Sequence, residues 1–222
     1  MITISGILAP ATLQEIRALV ATLGWRDGVE TAGHAAKRVK HNMQADLSTR
    51  NGAKVKTLLE NAIRDHPVVH AAAQPRRFAR LVLSKTTAGG GYGLHVDNPF
   101  MRGPEGEVRT DVAFTLFLSD IADYEGGELV IEEAGMARTL KLPLGDMVLY
   151  PATNLHRVAP VIRGERLACV GWIESRIRDA ADREILFDLE NLRASLGEQQ
   201  APDSVAMLTL SKAIANLLRR FG

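Results

Sequence analysis

Two residues that follow a glycine-rich run have the types and the spacing of metal ligands. The run from Gly89 to Gly93 leads into His95, and Asp97 lies two residues further on. Because side chains at i and i+2 of a strand point to the same face, these two residues could offer an imidazole nitrogen and a carboxylate oxygen to one ion. The pair alone is weak evidence, since six histidines and 26 acidic residues among 222 make such spacing common by chance.

A third ligand is expected further along the chain. His156 follows a turn and opens a predicted strand. Two histidines and one carboxylate on one face of the metal are the ligand set of non-haem iron(II) oxygenases. The other histidines lie in the polar or helical N-terminal region and are interpreted as surface or capping residues: His34, His41, His66 and His70.

An arginine follows His156 by ten residues. Period-two alternation places Arg166 on the same face as Ala168, Val170 and Trp172. A buried, unpaired guanidinium is costly, so this position indicates an anionic partner, and the planar fork of arginine suits a carboxylate. A strand-end arginine that points to solvent is the alternative.

The glycine run does not match a phosphate-binding motif. A phosphate loop needs a lysine and a serine or threonine after its last glycine, and a dinucleotide fingerprint must open a helix. Here a His-x-Asp and Pro99 follow instead. The glycines are therefore predicted to bend the backbone where a sheet turns toward a site.

Short strands must position these residues. Between Phe78 and Ser175, short apolar runs alternate with turn residues, which is typical of antiparallel sandwiches and barrels. Seven or eight strands with almost no intervening helix predict a double-sheet jelly roll, in which Cys169 is a core residue. The predicted strands are 80–84, 112–118, 128–131, 138–142, 146–150, 156–159 and 166–172.

Helical spacing appears on both sides of the strands. It predicts a helix over 11–23 with Thr12 as its cap, a second over 49–64 that stops near Pro67, and two in the tail, divided by 197–203. The tail helices are expected to cover a sheet face or to form a homo-oligomer. The fold class is thus α+β, with a domain over 1–177 around a strand core at 78–177 and a helical extension over 178–222.

Composition gives no sign of a nucleic-acid or membrane partner. The formal net charge is +1, and 46% of the residues are apolar. The beginning of the chain does not have the pattern of a secretory signal, and its one cysteine excludes an internal disulfide. A cytoplasmic location is expected.

Together these residues resemble the iron(II)- and 2-oxoglutarate-dependent dioxygenases of the prolyl and lysyl hydroxylase type. The resemblance is stronger to the bacterial PKHD-type hydroxylases, which are associated with iron uptake. It runs in order from about residue 80 to 190, through 92–98, 109–111, 115–119, 126–131, 142–146, 148–152, 155–158, 172–173 and 187–189.

The resemblance implies a double-stranded β-helix, or jelly roll, and a hydroxylase. His95, Asp97 and His156 would bind Fe(II), and Arg166 would bind the distal carboxylate of 2-oxoglutarate. O₂ would be the co-reactant, succinate and CO₂ the products, and ascorbate the reductant. The substrate would be a peptide, a protein or a small molecule, including a siderophore-related one.

The sequence departs from this family at one point. The family often has a tyrosine before the glycines that helps to hold the cosubstrate, whereas this chain has Ser84, Lys85 and Thr86 there. Thr86, Lys85 or Tyr92 could take over that role.

The substrate entrance is predicted from adjacency to the first two ligands. Asn98, Phe100 and Arg102 lie in a turn-rich segment over 98–111, directly after Asp97. We expect them to line the entrance, and a plain surface connection is the alternative.

Two other classes of protein remain open. The same fold could sense 2-oxoglutarate or iron without catalysis. Two histidines and an aspartate could also serve a zinc-dependent hydrolase or a cupin-like isomerase. The position of Arg166 counts against the zinc enzymes.

Overall fold

The computed structural model describes residues 1–31, 38–103 and 106–222. Five α-helices lie in this part of the chain: α1 (Pro10–Val20), α2 (Arg50–Arg64), α3 (Pro67–Ala73), α4 (Ala180–Gly197) and α5 (Val205–Phe221). The strands are β1 (Ile2–Ile4), β2 (Trp25–Asp27), β3 (Lys40–His41), β4 (Met43–Ala45), β5 (Pro75–Phe78), β6 (Val82–Thr87), β7 (Gly91–His95), β8 (Phe100–Gly103), β9 (Gly106–Arg109), β10 (Val112–Phe117), β11 (Tyr124–Gly126), β12 (Leu129–Glu133), β13 (Met136–Leu140), β14 (Met147–Pro151), β15 (His156–Val158) and β16 (Val161–Ser175).

The strands form two principal antiparallel sheets. The larger sheet has the order β1-β14-β10-β16-β6-β4-β2, and β5 and β11 also pair with the long strand β16. The smaller sheet has the order β13-β12-β15-β7-β3. Apart from the hairpin β12–β13, most neighbouring strands in both sheets are distant in sequence, as in the jelly roll that the sequence predicted.

Side chains of β10 alternate between the two faces of the sheet, and each face contributes to a different layer of the core. Phe114 and Leu116 join the cluster formed with the helices, which includes Ile16, Leu59 and other aliphatic residues. Ala113 and Phe117 point the other way and pack against the smaller sheet. All six residues of β10 are buried, since one face meets the helices and the other meets the second sheet.

The N-terminal helices differ in detail from the sequence prediction. Helix α1 begins at Pro10, with Ala9 rather than Thr12 at its N-cap position, because proline fits the first helical turn. Helix α2 is capped by Thr49, whose side chain accepts a hydrogen bond from Gly52 N. The sequence predicted only that α2 stops near Pro67, whereas in the structure Pro67 also begins α3.

The C-terminal helices pack on the body of the protein. Ile177, Leu186 and Ile214 form a small buried cluster between them. Phe187 of α4 packs against the main core, next to the N-terminal helices. No helix in the described ranges has the length and apolar character needed to cross a bilayer.

The sequence prediction missed the short strands β1–β5, because segments of two to four residues give no periodicity to detect. The segment over 98–111, predicted as a loop, contains the hairpin β8–β9, in which Phe100 pairs with Arg109. The strand predicted from Arg166 begins earlier, at Val161.

Candidate metal centre

Adjacent strands of the smaller sheet bring two histidines together. In the antiparallel pair β7–β15, His95 lies directly opposite His156. The centroids of the two imidazole rings are 4.2 Å apart. The strand argument for Asp97 was wrong in one respect, because β7 ends at His95 and the aspartate lies in the segment that follows. That segment still directs the carboxylate to the histidines.

The three side chains converge on one point. Their ligand atoms all lie within 4.8 Å of one another, and His156 Nε2 is 3.8 Å from Asp97 Oδ2. Within the described part of the chain, Asp97 Oδ2 is buried and has no hydrogen-bond partner. A buried carboxylate oxygen without a partner is costly, and a cation would remove that cost.

Backbone carbonyls orient both imidazole rings. His95 Nδ1 lies 2.8 Å from Gly93 O, and His156 Nδ1 lies 3.0 Å from Asn154 O. A carbonyl can only accept, so each Nδ1 carries the hydrogen and donates it. Nε2 is left with a lone pair, as metal-binding histidines require.

The electrostatics of the site favour the neutral form of His95. Burial, together with the neighbouring His156, lowers the pKa of His95 to about 4, so the ring is uncharged at neutral pH. Burial raises the pKa of Asp97, whereas His156 and the indole of Trp172 act in the opposite direction. The donor set is thus two imidazoles, of which the His95 ring is uncharged, and a carboxyl group in a low-dielectric environment, which suits a divalent transition metal.

Arg166 points into the protein and not to solvent. Its residue is 2% exposed, and its guanidinium carbon lies 5.3 Å from the ring centroid of Phe117. Among the described residues, its Nε and Nη2 have no hydrogen-bond partner. Burial lowers the pKa of Arg166, and the phenols of Tyr124 and Tyr150 oppose this effect. Each of these two nitrogens therefore offers a hydrogen bond that the acceptor atom of a bound ligand would satisfy.

The three candidates for the missing family tyrosine lie in different places. Thr86 is buried and pairs with Arg166 across β6 and β16. Tyr92 stacks on the His95 ring, with centroids 3.6 Å apart. Lys85 points away from both, over the ring of Trp25 at 4.1 Å. Thr86 and Tyr92 thus share the cavity with the metal ligands, and Lys85 faces the other side of β6.

One cavity of about 310 Å³ joins the metal ligands, Arg166 and the predicted entrance. Asn98, Phe100 and Arg102 all line it, and Phe100 is 56% exposed at its mouth. The sequence prediction missed other lining residues, most of them polar or aromatic: Lys40, Asn42, Gln44, Arg80 and Tyr150. Polar residues at every second position over 40–44 were the signal that could have revealed one wall of the cavity.

The other described histidines lie away from the ligand cluster, and the sequence prediction for one of them needs a correction. His41 was placed outside the strands, but it belongs to β3 and pairs with Gly91, although its side chain is exposed as predicted. His66 occupies the N-cap position of α3 without a side-chain capping bond, and His70 is exposed. His34 lies outside the described residues.

Sequence comparisons place these residues in a known family. Residues 59–174 match the model of the 2OG-Fe(II) oxygenase superfamily. A PKHD-type hydroxylase of Hyphomonas neptunium is 51% identical over 219 residues, which cover 99% of this chain and 98% of that protein. Another from Synechococcus elongatus is 42% identical over 221 residues, covering 100% and 99%.

Solved structures of 2OG-Fe(II) oxygenases are similar to this chain in their fold. A 2OG-Fe(II) oxygenase family oxidoreductase from Burkholderia pseudomallei has a TM-score of 0.58 at 18% identity, covering 78% of this chain and 84% of that chain. A prolyl hydroxylase from Trichoplax adhaerens has the same TM-score at 14% identity, covering 78% and 83%. The chain belongs to the 2OG-Fe(II) oxygenase superfamily and, within it, groups with the PKHD-type hydroxylases as an enzyme of that class.

Proposed function

We propose that this protein is an Fe(II)- and 2-oxoglutarate-dependent dioxygenase that hydroxylates its substrate and releases succinate and CO₂. One observation carries the proposal. A cavity of about 310 Å³ contains both a converging set of two histidines and an aspartate and, on another wall, a buried arginine with two donors that have no partner among the described residues. A metal and a dianionic cosubstrate would satisfy both groups at once.

His95, Asp97 and His156 would hold the iron, the histidines through Nε2 and the aspartate through a carboxylate oxygen. Ferrous iron with bound 2-oxoglutarate and O₂ supplies the oxidative decarboxylation and the hydroxylation of a carbon atom. The chain's part is to keep the Nε2 atoms deprotonated and oriented, which the Gly93 and Asn154 carbonyls do. All three residues line the cavity, so the other reactants would reach a metal held there from the cavity side.

Arg166 would bind the distal carboxylate of 2-oxoglutarate. Its donors Nε and Nη2, which have no partner in the part of the chain that the structure describes, suit the two oxygens of one carboxylate. Thr86, opposite it in the sheet, would add a hydroxyl donor, and Tyr92 would fix the orientation of His95 by stacking. Because the guanidinium is buried over the ring of Phe117, the low dielectric around it would strengthen this ion pair.

Asn98, Phe100 and Arg102 would form the substrate entrance, since they line the cavity beyond the metal ligands.

The family resemblance extends the proposal further. The substrate would be a peptide, a protein or a siderophore-related molecule, and the activity would be linked to iron uptake. Ascorbate would be the reductant, and the protein would act in the cytoplasm. Exposed apolar residues on the tail helices, Leu192 and Leu208, support a homo-oligomer, which sedimentation of the purified protein would detect.

The proposal is tested with anaerobic Fe(II) protein and 2-oxoglutarate. Bidentate chelation of the ferrous ion is expected to give a weak charge-transfer band in the visible range, which requires no substrate. His156→Ala should abolish the band, because one of the three protein ligands is lost. A His70→Ala variant, in an exposed part of α3, is the matched control and should keep it.

A band that is absent at saturating 2-oxoglutarate would refute the cosubstrate assignment, and a band that survives His156→Ala would refute the ligand assignment. Succinate formation stimulated by cell extract then separates an enzyme from a binding module of the same fold. A zinc enzyme would give hydrolysis or isomerisation without any dependence on 2-oxoglutarate.

A further inference from the structure

A buried tyrosine of the larger sheet lies beside the metal ligands. Tyr150 of β14 is 5% exposed and pairs with Ala113 of β10. Its ring meets that of His156 edge-on, with the two centroids 5.2 Å apart. It lines the same cavity as Arg166, and the charges of Asp97 and Arg166 both act on its phenol. The Tyr150 side chain is therefore close to the metal centre and within electrostatic range of the arginine.

The Tyr150 hydroxyl is directed along β10 toward the arginine. Thr115, a buried residue of the cavity lining, forms a hydrogen bond with this phenol. Side chains two residues apart share a face of a strand, so Thr115 and Phe117 follow Ala113 on one face of β10. The Phe117 ring centroid lies 5.3 Å from the guanidinium carbon of Arg166. The bond to Thr115 thus turns the hydroxyl toward the arginine.

A second buried phenol also lies beside Arg166. Tyr124 is 4% exposed, and a Cβ atom on Gly127 would lie 3.1 Å from both Tyr124 Cε2 and Arg166 Cδ. The Tyr124 ring thus packs near the alkyl part of the arginine. Unlike Tyr150, it is not among the described residues that line the cavity. Of the two phenols that act on Arg166, Tyr150 is therefore the one that a ligand in the cavity can contact.

The Tyr150 phenol is a hydrogen-bond donor at neutral pH. Burial and the nearby Asp97 carboxylate raise the pKa of Tyr150, while the hydrogen bond from Thr115 opposes the rise. Because a bond accepted by the phenolic oxygen favours the deprotonated form, this one leaves the phenolic hydrogen available to another acceptor. Asp97 is the one carboxylate among the described residues of the lining, and it converges with the histidines. An incoming anion is therefore the charged acceptor that this position suits.

We propose that Tyr150 donates a hydrogen bond to the distal carboxylate of 2-oxoglutarate, next to Arg166, and so replaces the tyrosine that this chain lacks before its glycines. The inference rests on the proposed function of the same cavity. A carboxylate has about four sites that accept hydrogen bonds. Nε and Nη2 of Arg166, the Thr86 hydroxyl and the Tyr150 hydroxyl supply four donors. Tyr150 thereby helps to select a cosubstrate with a second carboxylate over a shorter 2-oxo acid.

The test compares two 2-oxo acids on full-length protein reconstituted with redox-inert Ni(II). 2-Oxoglutarate and 2-oxobutyrate present the same keto and C1 carboxylate groups to the metal, but only 2-oxoglutarate has a distal carboxylate. Calorimetric titration of Tyr150→Phe is expected to show an affinity for 2-oxoglutarate about tenfold lower than in the wild type, because a charge-assisted hydrogen bond is lost. The affinity for 2-oxobutyrate should be unchanged. Equal losses for both acids, or no loss for either, would overturn the inference.

Two further variants separate contact with the carboxylate from a general effect of the substitution. Tyr124→Phe removes a buried phenol beside the same arginine but outside the cavity lining, and it is the matched control. Its affinity for 2-oxoglutarate should equal that of the wild type. In an Arg166→Met background, Tyr150→Phe should cost less affinity than in the wild type, because both residues bind the same group. A loss in Tyr124→Phe as large as that in Tyr150→Phe would contradict the assignment to Tyr150.

Fluorine NMR shows directly whether the phenol meets the cosubstrate. The chain has three tyrosines, so labelling with 3-fluorotyrosine gives three resonances. Tyr92→Phe and Tyr124→Phe assign them by elimination, so this measurement does not depend on the folding of Tyr150→Phe. With diamagnetic Zn(II) in the site, 2-oxoglutarate is expected to shift the Tyr150 resonance further than 2-oxobutyrate does. A Tyr150 resonance that saturating 2-oxoglutarate leaves unmoved would contradict the contact.

The outcomes also separate this inference from the proposed function. Wild-type protein that binds 2-oxoglutarate, together with an unchanged affinity in Tyr150→Phe, would refute the inference alone. Wild-type Ni(II) protein that binds no 2-oxoglutarate at high concentrations would refute the proposed function and the inference with it.

Discussion

At the scale of single residues, the candidate site is defined by polar atoms that lack partners. Asp97 Oδ2 and two nitrogens of Arg166 are buried without hydrogen bonds to any part of the chain that the structure describes. Each costs free energy in the protein alone, on the order of 1–3 kcal/mol or more for a charged group. Such atoms persist where a ligand satisfies them, which is why they locate the metal and cosubstrate sites together.

Replacing Arg166 should weaken the binding of 2-oxoglutarate without lowering the thermal stability of the protein. Arg166→Met is expected to weaken 2-oxoglutarate binding to the Ni(II) protein by about 10- to 100-fold, because charge-assisted hydrogen bonds are lost. Thermal stability should stay equal or rise, because an unpaired buried cation is replaced by an apolar side chain. Calorimetric titration and a melting curve measure the two effects. Lys85→Met serves as the control, and a comparable loss of affinity in that variant would contradict the placement of Lys85.

At the scale of elements, close backbone contact holds the ligand strand in place. Gly93 N donates to Val39 O, and the Gly93 carbonyl accepts from His95 Nδ1. A Cβ atom on Gly93 would lie 2.7 Å from Val39 Cβ. Any side chain there would therefore push Val39 and the strand β3 that follows it away from β7. The same glycine thus positions a metal ligand and the polar wall of the cavity.

Gly93→Ala is therefore expected to lower the free energy of unfolding by about 1–3 kcal/mol through overpacking, and to weaken Ni(II) binding. Chemical denaturation and metal titration give the two quantities. Gly24→Ala is the matched control, since a Cβ atom there would meet nothing within 4 Å. If both variants behaved alike, the contact with Val39 would not constrain the strand.

Asp46, at the corner between β4 and α2, should make the stability of the fold depend on pH in the acid range. Hydrogen bonds from the Ser48 side chain and backbone, with Arg26, lower the pKa of Asp46 from 3.8 to about 2. Because the folded pKa is the lower one, this carboxylate stabilises the fold fully above about pH 3.8, and the contribution is lost as the pH falls toward 2. Asp46→Asn should lower the melting temperature slightly at neutral pH, and the difference from the wild type should vanish near pH 2. Asp203→Asn, an exposed carboxylate, should show no such convergence.

At the scale of the whole molecule, the tail helices are joined to the jelly roll and do not simply follow it. Arg183 Nη1 donates to the carbonyls of Ile177 and Arg178, and Phe187 packs on the main core. The division into a domain over 1–177 and an extension over 178–222 stays a prediction. These contacts lead us to expect that both parts unfold together.

Leu186→Ala tests that expectation. The side chain is fully buried between Ile177 and Ile214, so its truncation should cost about 2–5 kcal/mol of unfolding free energy. Calorimetry should show one transition, shifted to lower temperature. Ile185→Ala, whose side chain is 47% exposed on the same helix, should change little. Two resolved transitions in Leu186→Ala would mean that the extension is an independent unit.

The sequence by itself determined the fold class, the helices at both ends and the family, because long apolar periodicity and fixed motif spacing are local properties of a chain. It also singled out His95, Asp97, His156 and Arg166, whose residue types are unusual beside buried strands. Only the tertiary structure decided which groups share the cavity. Lys40 and Arg80 line the same cavity although they are distant in sequence, and Lys85 lies outside it because alternation along β6 turns its side chain to the other face. Such placements depend on register between distant segments, which no local pattern encodes.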